Sequence, residues 1–556
     1  MKTSSFVIFF IANISLQASA FQTPETSTMP CINVKNLPFG AKGDGVTDDT
    51  EAIRKAFAAA SDCVYFPPGV YVVNPTPSRH LAIVKNGMTV RGERGKSAIK
   101  LKDNSILHRT APLDISFEQL LLGREAVLGS DGRYRFPTFQ NLTIQDLIFD
   151  ANYRGNQIMG DATAQETSAL TFMNVTGLTI QNCVFLNAGR ACLVLITCQK
   201  SKIANNYFYN VGQGKHNGDA IQANGCTDTQ ITGNVLENVG EGIFCQHHAS
   251  TRTRDSLALV SNNRIATLDV AQPAAIKNYI QTETLQKLKP GSLVSYTTAG
   301  RAIGSSIGLL SNDSKAYGNT IVQHIAISVQ AMKGHGDLPT TKVEVANNTM
   351  RQMAKIKFRD KNGLLIRNVN AALIVKAIGQ TVQNVNIHHN TVDTAFHSGF
   401  QLIVGASDGN LSVPGKIADL TFEYNTIRQA CTEFTSNVQG AALIFTNADI
   451  TKPGIQTNQF KNITIRQNKL GYARKTGLWL DPCLSNVKLL ENTFLPGRSA
   501  TGNATIRAKS CLREINQPGF FTQSQLDCLL EPGGICVGCS AQPANCASGQ
   551  KCAACQ

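Results

Sequence analysis

Charge is scarce in this chain of 556 residues: Asp, Glu, Lys and Arg together make up 16%, against roughly 25% in an average globular domain. The shortage falls on the acids, 38 Asp and Glu against 52 Lys and Arg, so the formal charge of +14 arises without any Lys/Arg-rich block. Nucleic-acid binding, which needs a concentrated basic stripe, gets little support. A diffuse positive field still favours capture of a polyanion. No apolar run approaches the ~18 residues of a membrane span. Tryptophan occurs once. What the chain does have is 42% hydrophobic residues, enough for a core and unlike a disordered chain. Length alone suggests about three or four domains, but elongated β folds run far longer as one unit.

Residues 1–20 read as a secretory signal peptide. Lys2 precedes the apolar run Ser5-Phe6-Val7-Ile8-Phe9-Phe10-Ile11-Ala12, and the segment ends in Ala18-Ser19-Ala20, a basic start, short apolar middle and small-residue end. The mature protein is expected to begin near Phe21 and to be secreted, extracellular or periplasmic, without membrane insertion. Export permits disulfides, so all 16 cysteines are first assigned to them. Seven of these (Cys511, Cys528, Cys536, Cys539, Cys546, Cys552 and Cys555) crowd the last 46 residues, making 511–556 a Cys-rich tail. The spacing of Cys536, Cys539, Cys552 and Cys555 also suits zinc, but an exported chain favours disulfides.

Internal repetition dominates the rest. A phrase aliphatic-x-x-Asn-x-apolar recurs with its Asn at Asn206, Asn234, Asn263, Asn319, Asn348, Asn390, Asn425, Asn468 and Asn492, and Cys183 holds the same slot one coil earlier. The spacings are 28, 29, 56, 29, 42, 35, 43 and 24 residues; the 56 fits two coils or one coil with a large insertion. Short β segments at such intervals, with no helical period between them, indicate a solenoid of parallel strands whose stacked coils bury one continuous core. An Asn kept at one turn of each coil can build a ladder of amide hydrogen bonds. The expected fold is all-β, a parallel β-helix of about ten to thirteen coils over residues 21–510.

A solenoid end exposes core and strand edges and needs a cap. Asp48-Asp49-Thr50-Glu51 predicts a helix start with Asp48 at the N-cap and Glu51 closing a capping box. Ala52, Ile53, Ala56, Phe57 and Ala60 follow as one apolar stripe, the face of an N-terminal plug.

This capping segment, from Phe39-Gly40-Ala41-Lys42-Gly43-Asp44-Gly45-Val46-Thr47 through Ile53, with Phe66-Pro67-Pro68-Gly69-Val70-Tyr71 after it, resembles the opening of pectate-lyase-superfamily β-helices. That superfamily includes polygalacturonase-like hydrolases, polysaccharide lyases, uronan epimerases and phage tailspike depolymerases. The resemblance continues as a loose coil pattern to about residue 500. It implies a right-handed winding and carbohydrate chemistry without specifying the reaction. Gly334-His335-Gly336 and Lys355-Ile356-Lys357 resemble polygalacturonase signatures, but that family's Asn-Thr-Asp and Asp-Asp motifs are absent and His335 lies too far from Glu241 for the next coil. A standard polygalacturonase is therefore not expected.

Chemistry must come from side chains on the outer face of neighbouring coils. Gly218-Asp219-Ala220-Ile221 and Gly240-Glu241-Gly242-Ile243 match at a spacing of 22, about one coil. With Ile221 and Ile243 inward, Asp219 and Glu241 are expected outward, one above the other, at the ~5 Å strand spacing. Stacked carboxylates raise one pKa unless a cation lies between them. An acid and a base so placed suit retaining glycoside hydrolysis; the same pair suits Ca²⁺; two solvated turn residues are the bland alternative. The loop after Gly212 brings Lys215 and His216 beside the pair. Gln222, Asn224, Gln246, one of His247 and His248, and Arg190 one coil earlier are expected to bind substrate. Trp479 falls on an outward position of a late strand.

Three readings follow: a secreted enzyme cleaving an anionic polysaccharide by hydrolysis or β-elimination, a uronan C5-epimerase, and a non-catalytic glycan-binding or adhesive protein. In hydrolysis Asp219 and Glu241 divide the acid and the base or nucleophile roles, and no cofactor is needed. In elimination they bind Ca²⁺ or orient the sugar while Lys215 or His216 takes the C5 proton. The expected partner is the polysaccharide, with the protein a monomer or homo-oligomer.

Overall fold

The computed structural model of the chain describes residues 31–74, 81, 85–103, 118–123, 127–128, 134–135, 138–156, 167–189, 191–212, 218–248, 253–267, 276–288, 304–332, 337–353, 357–359, 365–367, 371–407, 410–430, 441–447, 459–473, 476–480, 484–494, 506–508 and 514–516. The signal-peptide segment and all of the C-terminal tail but 514–516 lie outside them.

The strands form three long sheets, of 17, 14 and 13 strands among the described residues. Along each sheet neighbouring coils pair in parallel, as in Ile180↔Ile203↔Ile231↔Val260 on the first and Phe149↔Phe185↔Phe208 on the second. The chain is a parallel β-helix. Strands Ile506–Ala508 and Glu514–Asn516 extend two of the sheets, the latter past the expected boundary at residue 510. Inward positions of all three sheets merge into one apolar column. Like residues stack there: Phe185 lies 5.3 Å from Phe149 and 4.6 Å from Phe208, near-parallel to both.

The nine Asn form the ladder that their spacing implies. Each side-chain amide donates to the next Asn Oδ1, as Asn263 does to Asn319 at 3.0 Å and Asn319 to Asn348 at 2.9 Å, and the run continues unbroken from Asn206 to Asn492. The same Oδ1 also accepts the preceding Asn backbone N–H, and the second amide proton goes to a coil carbonyl such as Val260 O. Cys183 ends the column, its N–H donating to Asn206 Oδ1 at 2.9 Å. The residue before each rung turns the chain with positive φ, whether Asn205, Asn262, His389 or Tyr424. Asn263 bonds directly to Asn319, so the 56-residue interval is one coil with an insertion. From that insertion Ile276, Ile280, Leu285 and Leu288 pack onto the outer face of the 14-stranded sheet, and Tyr279 stacks on Tyr207 at 3.9 Å.

A second, shorter ladder was not expected from the sequence. Asn187 donates to Asp150 Oδ1, Asn210 to Asn187 Oδ1 and Asn238 to Asn210 Oδ1, at 2.9, 3.2 and 2.5 Å. These three Asn also sit at positive φ, a backbone state that Asn tolerates better than most residues.

The cap is a helix, Thr50–Ala59, with Ile53, Ala56 and Phe57 buried on the core. Its N-terminus differs from the expected capping box: Asp49 is the N-cap and makes no side-chain capping bond. Its buried carboxylate accepts the Lys42 and Gly43 backbone N–H groups instead, at 2.6 and 3.0 Å. Asp48 takes the Thr50 N–H at 3.0 Å, and Glu51 pairs with Arg54. The Gly-Asp-rich stretch thus needs its acids to close its own turn.

The assignment of every cysteine to disulfides is corrected. Cys31 and Cys63 are bonded, but Cys183, Cys192, Cys198, Cys226 and Cys245 are buried free thiols in the solenoid interior. Burial pushes the Cys183 thiol up to about 12, and all five sit in the apolar column as small fillers. Residue-by-residue alkylation of the native protein should therefore spare these five and label them after unfolding without reductant; Cys31 and Cys63 should label only after reduction.

The ladder predicts a stability asymmetry. Asn319→Asp keeps the volume but turns a donor into an oxygen facing Val260 O and Asn348 Oδ1, and should cost at least ~3 kcal/mol in urea unfolding. Asn205→Asp, on the exposed turn residue beside the ladder, should stay within ~0.5 kcal/mol of wild type. Equal stability of the two variants would contradict the ladder's role.

Candidate active-site groove

The groove lies on the 13-stranded sheet. Strands Asp219–Asn224, Glu241–Gln246, Ser305–Leu310, Ile325–Met332, Ala371–Ile378 and Ser398–Ser407 follow one another across it in parallel register. Ile221, Ala223, Ile243, Cys245, Ile307 and Leu309 enter the core, which leaves the alternate positions facing out. Strict alternation would have turned Asp219 to the side of Ile221. Ala220 and Ile221 are instead both buried in the core, so the period breaks at the strand start and Asp219 joins the groove.

The register sets Asp219 directly against Glu241. Both carboxylates line an open cleft of about 440 Å³ with Gln222, Phe244, Gln246, Ser305, Gln330 and Lys376. Asp219 is buried, with 7% of its surface exposed. Glycine makes room for the next side chains: a Cβ at Gly304 would fall 1.6 Å from Glu241 Oε1, and one at Gly308 2.4 Å from the Phe244 ring. Beyond the acid pair a polar chain runs along the floor. Gln246 donates to Asn224 Oδ1 at 2.7 Å; further on, Ser328 Oγ donates to Ser305 Oγ at 2.9 Å and receives Gln330 Nε2 at 2.6 Å. Leu310, Met332, Ile374 and Ile403 supply apolar walls. Paired carboxylates, amide donors and apolar patches together suit a sugar ring, which has hydroxyls on its rim and C–H faces.

Of the residues selected from the sequence, Asp219, Glu241, Gln222 and Gln246 come together in this groove. Asn224 supports it through Gln246. His247 is placed elsewhere: it is 2% exposed, its Nδ1 accepts the Asp255 N–H at 2.9 Å and its Nε2 lies 3.3 Å from Pro339 O. The backbone donor at Nδ1 requires the neutral Nε2–H tautomer, and burial lowers the ring's pKa. His248 is half-buried beside Gly225. Arg190, Lys215, His216 and His335 lie outside the described residues, as do Lys355 and Ile356. Trp479 pairs with Ile444 and Arg507 in the register of the same sheet. Ser305, Gln330 and Lys376 escaped the sequence reading. Insertions separate their coils from the acid pair, and only the ladder spacing, once resolved into coils, reveals their alignment.

Residues 31–244 match the family model for rhamnogalacturonase A/epimerase, pectate lyase-like, a segment that includes both carboxylates. The chain is 42% identical over 74 residues to the mannuronan C5-epimerase AlgE1 of Azotobacter vinelandii, 12% of this chain and 5% of that protein. It is 49% identical over 55 residues to a probable glucan endo-1,3-beta-glucosidase of Arthroderma benhamiae, 8% of this chain and 6% of the other. The chain thus spans only a small fraction of the length of these relatives. A family 28 exopolygalacturonase structure from Yersinia enterocolitica superposes with a TM-score of 0.48 at 13% identity, covering 88% of this chain and 78% of that one. The capping segment and the coil architecture agree with this match, and over residues 31–244 the chain is similar to the pectate-lyase-like family within a parallel β-helix.

Proposed function

We propose that this protein is a secreted carbohydrate-active enzyme that cleaves glycosidic bonds of an anionic, pectin- or uronan-like polysaccharide by hydrolysis. The observation that carries the reading is the direct pairing of Asp219 with Glu241 across adjacent strands, in a groove that crosses several coils. Two solvated turn residues would not need Gly304 to clear space for one of them, nor would one be buried. Glycoside cleavage needs one ionised and one protonated carboxyl. In this reading the buried Asp219 serves as the acid and Glu241 as the base or nucleophile. Export is supported by the N-terminal segment, and no helix of the described residues is long and apolar enough to cross a membrane.

A second reading, β-elimination or C5 epimerisation, draws on the likeness to a mannuronan C5-epimerase. In it Asp219 and Glu241 would hold Ca²⁺ or orient the uronate, their oxygens being of the type that Ca²⁺ prefers. Lys215 or His216 would remove the C5 proton. A panel of polyuronides and neutral glycans separates the readings. New reducing ends without an ultraviolet-absorbing unsaturated product indicate hydrolysis; that product indicates a lyase; altered uronate composition at constant length indicates an epimerase; binding without turnover leaves a glycan-binding surface protein. On the substrate so found, Asp219→Asn and Glu241→Gln should each lower kcat roughly 10²–10⁴-fold with folding intact. Near-normal turnover in both variants would remove the pair from the mechanism.

A further inference from the structure

Lys376 is the cation among the described residues that line the groove, and it stands well away from the acids. Register places it in one outward column with Asn224 and Gln246: Asn224 pairs with Gln246, Gln246 with Leu310, and Lys376 with Gln330 on one side and Ile403 on the other. Leu310 and Gln330 continue the Leu309↔Val329 pairing. Lys376 therefore lies three strands beyond Gln246, or ~14 Å along the axis. It is half-buried in the strand Ala371–Ile378 with Ile374 beside it, and no described carboxylate pairs with it in the structure.

A half-buried ammonium without a counter-ion is costly to keep, and here it opens onto a groove rather than the core. Burial lowers its pKa, with no acid acting on it. Its neighbours match a bound sugar unit, the Gln330 amide offering hydrogen bonds and Ile374 and Ile403 apolar contact. The groove thus has carboxylates at one end, where a bond is cut, and an isolated cation at the other. A uniform positive lining would hold a polyanion anywhere; this arrangement holds it in one register.

Resting on the reading that the groove accommodates an anionic glycan, we propose that Lys376 is a carboxylate-binding subsite at the far end of the groove from the Asp219–Glu241 pair, selecting a uronate at that position. Glu241 lies five residues before Gln246 on the same strand, ~16 Å across the sheet, so an extended glycan that reaches both the acid pair and Lys376 runs obliquely over the strands for roughly 21 Å, about four to five units at ~5 Å each. The ammonium then regains as a charge-assisted hydrogen bond what it loses by desolvation.

Calorimetry on Asp219→Asn protein, with hexamers of α-1,4-galacturonate and of β-1,4-mannuronate, tests this. At least one hexamer should bind. Adding Lys376→Met should weaken that binding about tenfold or more, and Lys376→Arg should largely restore it. The carboxyl-reduced hexamer and the uronate dimer, which lacks the reach, should be indifferent to either change. Equal affinity with and without Lys376→Met, or no binding of either hexamer, overturns the subsite. Should Asp219→Asn and Glu241→Gln retain turnover while the Lys376 effect on affinity persists, the cleavage assignment falls and the subsite stands. Loss of turnover in both with no Lys376 effect overturns the subsite alone.

Discussion

The amide ladder is the interaction on which the rest depends. Each ladder Asn uses its oxygen to bind the preceding coil and its two amide protons to bind the next coil and a carbonyl of the preceding one. A buried amide is expensive unless all of its groups are paired, so a coil that slips by one residue leaves several unsatisfied at once. The ladder therefore fixes the rotational register of successive coils, while the apolar column, which is less directional, supplies most of the stabilisation. With register fixed, outward side chains hold set places on the sheet, Asp219, Glu241, Gln330 and Lys376 among them.

Insertions do not disturb this arrangement because they leave between rungs. The Asn263–Asn319 coil carries the longest interval in the ladder, yet the two Asn bond as closely as neighbours 29 residues apart. The inserted segment pays its own way by burying Tyr279, Ile276 and Leu288 on the outside of the 14-stranded sheet. Loops that are energetically independent of the ladder can grow beside the groove and reshape it, which is consistent with one fold serving several carbohydrate chemistries.

Much of the fold was legible because its constraint repeats. Nine Asn in one phrase are a signal that no single residue provides, and the 22-residue match between Gly218-Asp219 and Gly240-Glu241 exposed the acid pair for the same reason. The sequence was opaque where local geometry departs from period. Ala220 and Ile221 both turn inward, so alternation alone would have misdirected Asp219. Asp49 closes a turn rather than capping the helix, since its carboxylate meets two backbone N–H groups from residues distant enough to need the folded loop. His247 looked like a site residue beside Gln246, but the strand ends there and the ring folds under to meet Asp255 and Pro339. Lys376 carried no local mark at all: its meaning comes from a column assembled across coils of unequal length.

Whether a glycan crosses the strands of this one sheet is the central claim. Hydrogen–deuterium exchange on the Asp219→Asn protein, with and without a saturating uronate hexamer, tests it directly. The account predicts added protection together at 219–224, 241–246, 305–310, 325–332 and 371–378, with the equivalent coils of the other two sheets unchanged. Protection confined to a single coil, or to the outer faces of the other sheets, would contradict it.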